Sequence, residues 1–172
     1  FLFSEKAIIA LTMTFVIIAR QIDLSVASII AVSSVVLGYT TSLGYDTWLV
    51  ISLTLLSGAL CGAFNGAIIT KFAIPSIIVT IGTMSLFRGL AYSFLEDSYY
   101  NKFPKIVSNL GSGYLFGYIP YAFLTFILLA LVFAFILQKT NVRKKIFSIG
   151  NNPHAAQYTG IAVDKYRFVL FK

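Results

Sequence analysis

Residues 48–69 read WLVISLTLLSGALCGAFNGAII, a run without a single charged side chain. At about 1.5 Å per helical residue, a stretch of this length crosses the ~30 Å hydrocarbon core of a bilayer. Comparable apolar blocks lie near 7–19, 24–43, 74–95 and 118–137, and another opens at about 161. Period-2 alternation is absent, which argues against a membrane β-barrel and leaves α-helices to satisfy backbone groups in lipid. The predicted fold is all-α: part of a single polytopic transmembrane helix bundle.

Composition agrees. Of 172 residues, 58% are apolar and 11% charged, with 16 Phe and 10 Tyr and a mean hydropathy of +0.87. Soluble proteins average about 45–50% and 25%, so soluble enzymes are set aside. The net charge of +7 is concentrated near one end: residues 139–172 hold seven Lys/Arg against one Asp, a balance of +6 that leaves +1 for all that precedes. Such clustering is a topology signal, and no nucleic-acid partner is expected.

Lys139, Arg143, Lys144 and Lys145 put the 138–160 loop in the cytoplasm by the positive-inside rule. Alternation then places Arg20 and Lys71 inside. Asp46 and the charge-balanced 96–117 loop (Glu96, Asp97, Lys102, Lys105) fall outside. The first span would run inward, so a protein starting in the cytoplasm needs one more helix before Phe1. Phe1 follows no initiator Met or basic n-region, so no signal peptide is expected. Phe171-Lys172 falls in the opening turns of another helix. The expectation is a fragment of a longer membrane protein.

Within 48–69, Gly58, Gly62 and Gly66 recur every four residues, with Ala59, Ala63 and Ala67 one position on. Lipid gives helices little hydrophobic reason to associate, and small-residue faces let backbones approach closely enough for dispersion contacts. Similar faces are predicted from Ala27, Ala31, Ser34 and Gly38, and from Gly82, Ser85 and Gly89.

Polar residues inside spans mark either pathways or interhelical bonds. Asn65, beside the glycine row, suits a polar solute or, as Asn more commonly does, a bond between helices. Arg88, seven residues before Leu95, suits an outer vestibule or a side chain snorkelling to headgroups. Asp23 heads Ile22-Asp23-Leu24-Ser25-Val26, where its carboxylate is expected to cap the next helix. Proton or cation coupling is the sharper alternative, and it would make the protein a secondary transporter. Thr12, Thr14, Ser52, Thr54, Thr80 and Thr83 are expected to bond to their own helix backbones.

After the basic run, Asn152 suits an N-cap, Pro153 a first helical position and Gly160 the position beyond the end, so a short helix is predicted over about 153–159. Ala155 and Ala156 are small enough to admit a partner surface, which suggests docking, though a plain connecting loop is equally compatible with the residues. His154 and Cys61 are the only His and Cys, so neither a metal cluster, a disulfide nor a Ser/His/Asp array can be assembled. No G-x-x-x-x-G-K-[ST] loop occurs. Any nucleotide hydrolysis must come from another chain.

Four motifs carry a resemblance over nearly the whole sequence: Ile22-Asp23-Leu24-Ser25-Val26, Gly62-Ala63-Phe64-Asn65-Gly66, Ile74-Pro75-Ser76-Ile77-Ile78-Val79-Thr80-Ile81-Gly82-Thr83, and Gly150-Asn151-Asn152-Pro153 through Ala155-Ala156 to Thr159-Gly160-Ile161. In that order they resemble the membrane permease subunits of bacterial ATP-binding cassette sugar importers, the ribose, xylose, rhamnose and autoinducer-2 group. Ile74-Pro75 and Gly150-Asn151-Asn152-Pro153 look closest to the rhamnose and autoinducer-2 branch. Arg20-Gln21 and Ala27 stand where the family commonly has glycines.

The resemblance implies a type II importer permease of about ten helices in the bacterial inner membrane, of which this chain would supply the second through sixth and the start of the seventh. It also implies a second permease subunit, a substrate-binding protein, and an ATPase carrying ATP and Mg. The Gly150–Gly160 segment would be the coupling helix seated in that ATPase. No catalytic residue or cofactor is expected in this chain.

Overall fold

The computed structural model describes residues 3–95, 100–101 and 103–171. In chain order it contains α1 (Ser4–Ile18), α2 (Val26–Ser42), α3 (Thr47–Phe72), α4 (Ser76–Leu95), α5 (Lys105–Ser112), β1 (Tyr114–Leu115), β2 (Ile119–Pro120), α6 (Tyr121–Lys139), α7 (Val142–Asn151), α8 (Pro153–Tyr158) and α9 (Val163–Phe171). Among the described residues α3, α4 and α6 are long and apolar enough to cross a membrane, and α2 is a shorter apolar helix of 17 residues.

Helix limits follow local chemistry. Asp46 caps α3 by accepting the Trp48 N–H at 2.9 Å. At its other end Ala73 turns left-handed, φ 52°, one residue before Ile74-Pro75. Pro75 disfavours helical geometry in the residue ahead of it, so the stop is built into the sequence.

Two segments read as loops carry structure. The 96–117 region holds α5 and the first strand of a two-residue antiparallel hairpin, in which Tyr114 pairs with Pro120 and Leu115 with Ile119. Glu96, Asp97 and Lys102, counted there for charge balance, lie outside the described residues. Ahead of α8 the chain forms α7, whose buried side, Ile146, Ile149 and Gly150, follows helical spacing beneath a basic exterior.

The chain divides into two compact units. One comprises Phe1–Gln21 and Lys105–Tyr166; the other comprises Ile22–Pro104 and Arg167–Lys172. In the first, α1 lies along α6, with Phe15 and Phe133 edge to face at 4.9 Å between ring centroids. Ile149, Ala156 and Val163 form a small core that Ile161 and Tyr166 flank.

In the second unit α2 packs on α3 and α4, and Phe64 of α3 meets Phe87 of α4 at 6.2 Å. The glycine row has two partners there. A Cβ on Gly58 would sit 3.2 Å from Ser33 Oγ of α2, while one on Gly66 would sit 3.1 Å from the Phe168 carbonyl. Gly62 between them is buried.

The other two small-residue faces do not pack as expected. Ala27 and Ser34 are exposed, and Gly38 holds against Tyr100. Gly82 and Gly89 have open space where a Cβ would be, and Ser85 is exposed. The buried face of α4 is Ser76, Val79, Thr80, Thr83, Phe87 and Ala91. Small residues permit close approach, but hydroxyls that need partners and bulky Phe87 decided which side turned inward.

Candidate functional site

Three of the four motifs meet around the non-helical stretch between α1 and α2. With no helix to satisfy it, the backbone at Ile22 uses side chains from α4: the Ile22 N–H donates to Ser76 Oγ at 3.0 Å, and Thr80 Oγ1 donates to the Ile22 carbonyl at 3.3 Å. Irregular backbone in a membrane protein persists only where such partners exist. Thr80 also reaches its own helix at Ile77 O, 3.4 Å away. Among the described residues, Thr12, Thr14, Ser52, Thr54 and Thr83 bond to carbonyls of their own helices, as the sequence suggested.

Asp23 does not cap α2 in the expected way. Its Oδ1 accepts from Ser25 N at 2.8 Å and from Ser25 Oγ at 2.6 Å, and Ser25 is itself the N-cap residue. The carboxylate closes the turn ahead of the helix because it stands two positions before the cap, beyond the position from which first-turn N–H groups are reached.

From α3, Asn65 Nδ2 donates to Ser25 Oγ at 2.8 Å. Since the Ser25 hydroxyl proton is committed to Asp23, its lone pair must take the amide N–H. The chain Asn65 → Ser25 → Asp23 therefore has one direction and fixes the amide orientation. Ser25, Asn65 and Thr80 are fully buried, with Ser76 and Thr83 nearly so. The other polar atom of the amide, Asn65 Oδ1, is buried and bonds to no described atom. Arg88 stands apart, exposed on α4.

The fourth motif builds a separate element in the other unit. Asn152 caps α8 by accepting the Ala155 N–H at 3.1 Å, Pro153 occupies the first turn, and Gly160 follows the end with φ +83°. Ala156 is 2% exposed and packs on Ile149 and Val163. Asn151, Asn152, Ala155 and Gly160 are exposed, and Pro153 is partly so. Tyr158, 93% exposed, extends the outward side.

Gly150 also turns inward. A Cβ there would collide with the Ile18 carbonyl oxygen, so α7 rests directly on the last turn of α1. Arg20 reaches the same place through a long Nη1 contact to Asn151 O at 3.4 Å. Gly150 and Ala156, grouped by sequence with docking residues, thus hold the element in place. Lys145 adds a bond to Tyr166 Oη at 2.7 Å.

A family model described as the permease component of a branched-chain amino acid transport system matches residues 1–172. The chain belongs to this permease family. The permease is 33% identical over 164 residues to the autoinducer 2 import system permease protein LsrC of Escherichia coli O9:H4 (strain HS), covering 95% of this chain and 48% of the relative. It is 32% identical to the protein of the same name from Photorhabdus laumondii, over 95% and 49%. The permease thus spans about half the length of these curated relatives. No solved structure matches it. It is a multi-pass inner-membrane protein of a transport permease family.

Sequence reasoning singled out Asp23, Ser25 and Asn65 one at a time and missed Ser76 as their neighbour. Ser76 directly follows Pro75 at the head of α4, where a helix-start Ser is ordinary; its reach to Ile22 had no local signal.

Proposed function

We propose that this permease forms part of the translocation path of an ATP-driven, binding-protein-dependent importer for a small sugar or sugar-like solute. The named relatives favour an autoinducer-2-type solute over the rhamnose alternative. A second permease subunit completes the path, a substrate-binding protein delivers solute on the 96–117 side, and an ATPase chain holding ATP and Mg engages the α7–α8 element on the basic side. Asn65, whose Oδ1 is free to accept a hydroxyl proton, and Arg88 are the polar groups assigned to the pathway.

The observation carrying this reading is the architecture of α8. A six-residue helix is too short to stand alone in water; here the buried Ala156 anchors it while Ala155 and Tyr158 face outward. That arrangement suits a rigid peg that transmits displacement between a partner groove and the membrane helices.

Affinity purification of the full-length protein in mild detergent, followed by mass spectrometry, tests it. A P-loop ATPase should co-purify and be lost with Ala155→Trp. Ala156→Trp is unsuitable because overpacking would break the element itself. Recovery without an ATPase, under conditions that preserve related complexes, would favour a secondary transporter using Asp23.

A further inference from the structure

The α5–hairpin segment is rigidly fastened to the start of α6. Pro120 is both the last strand residue and the N-cap of α6, the Tyr121 N–H donates to Gly113 O at 3.0 Å, and Gly113 N–H donates to Asn109 O at 2.8 Å. A Cβ on Gly113 would lie 2.9 Å from the Tyr121 ring. Whatever depth α6 takes, this segment follows it.

One side of its exposed surface is apolar and aromatic. Phe116 is 85% exposed and Tyr118 84%; on α5, Ile106 and Leu110, one turn apart, are both exposed. From Phe103 to Tyr121 the only charged residue is Lys105. Phe116 and Gly117 both have positive φ, 53° and 78°, and Tyr118 N–H closes the turn on Leu115 O at 3.2 Å. A turn of this kind favours Asn, Asp or Gly at its first central position. A bulky aromatic there is disfavoured by local sterics, and at 85% exposure Phe116 gains little packing from the described residues to compensate.

The location supplies an occupant. At 19 residues α6 is about 28 Å long, close to the hydrocarbon thickness, and none of its apolar window is buried. Its first turn therefore stands at the edge of the hydrocarbon layer. Phe116 is five residues upstream of Tyr121, at most about 17 Å away even along a fully extended strand. Aromatic side chains concentrate at this boundary because their rings suit the mixed headgroup environment, and a short helix with one apolar face lies flat in it.

We propose that Phe116, Tyr118 and the Ile106–Leu110 face of α5 form a lipid-interface anchor, seated among phospholipid headgroups and upper acyl chains, that fixes the depth and tilt of α6. It is an added contact surface, independent of the solute and of the ATPase.

Nitroxide accessibility in lipid nanodiscs tests this. In full-length protein freed of native cysteines, including Cys61→Ser, single labels go on through Phe116→Cys, Leu110→Cys and, on the opposite side of α5, Ser108→Cys. The anchor predicts faster relaxation by oxygen than by a water-soluble nickel chelate at 116 and 110, and the reverse at 108. Preferential collision with the chelate at 116 and 110 would overturn it, as would shielding from both reagents, which would assign the surface to protein, whether the rest of the chain, a second copy or a delivering partner. Because 110 and 116 report independently, misfolding at one position leaves the other decisive.

Discussion

Arg20 adopts φ 56°, a left-handed conformation that a residue with a Cβ enters only at a penalty of about 1–2 kcal/mol. It lies just beyond α1, where the importer permeases this sequence resembles commonly carry glycine, and the departure noticed in the sequence thereby acquires a backbone meaning. Arg20→Gly should raise stability by up to about 1 kcal/mol, the strain relieved being partly offset by glycine's extra freedom when unfolded; thermal unfolding in detergent reads this directly. At Ser25 the expectation has the opposite sign. Its hydroxyl serves Asp23 and Asn65 at once, so Ser25→Ala should destabilise by about 1–3 kcal/mol. Adding Asn65→Leu should recover part of that loss, because the stranded amide is then removed as well. Asn65 and Asp23 were legible in the sequence as polar residues needing partners, but the partner was not: forty residues separate Asn65 from Ser25, and no local pattern reports so distant a pairing.

Among elements, the long apolar helices were legible because lipid imposes a length, and α8 because its cap, proline and terminal glycine are local signals. α7 was hidden by its basic residues, which drew attention to charge and away from the Ile146, Ile149 and Gly150 spacing. The hairpin was missed because its strands are two residues long, too short for any alternation to register. Small-residue faces were legible as capacity and not as use: Gly66 meets a backbone, while Gly82 and Gly89 meet nothing. Gly150 belongs with Gly66. Its contact with the Ile18 carbonyl means that Gly150→Ala must push α7 off α1, at about 1–3 kcal/mol. Lower melting temperature with α1–α7 crosslinking reduced would match; an unchanged melting temperature would show that the two helices separate freely.

At the scale of the whole molecule, the fold class and the identity of the family followed from the sequence, since hydrophobic length and motif order are one-dimensional properties. The division into two units was not foreseen, because it concerns which distant helices share a neighbourhood. Each unit draws on two separate stretches of chain, and one is interrupted by nearly all of the other. That nesting imposes an order on biosynthesis. α2, α3 and α4 emerge consecutively and can pair as soon as they enter the bilayer. α1 emerges before them, yet its neighbours α6 and α7 are made only after all three. A chain elongates at about 5–20 residues per second, so several seconds separate the synthesis of α1 from that of α6 and α7. Whatever surface α1 meets during that interval must yield to α6 and α7, so the late partners have to displace an earlier environment rather than dock onto a bare helix.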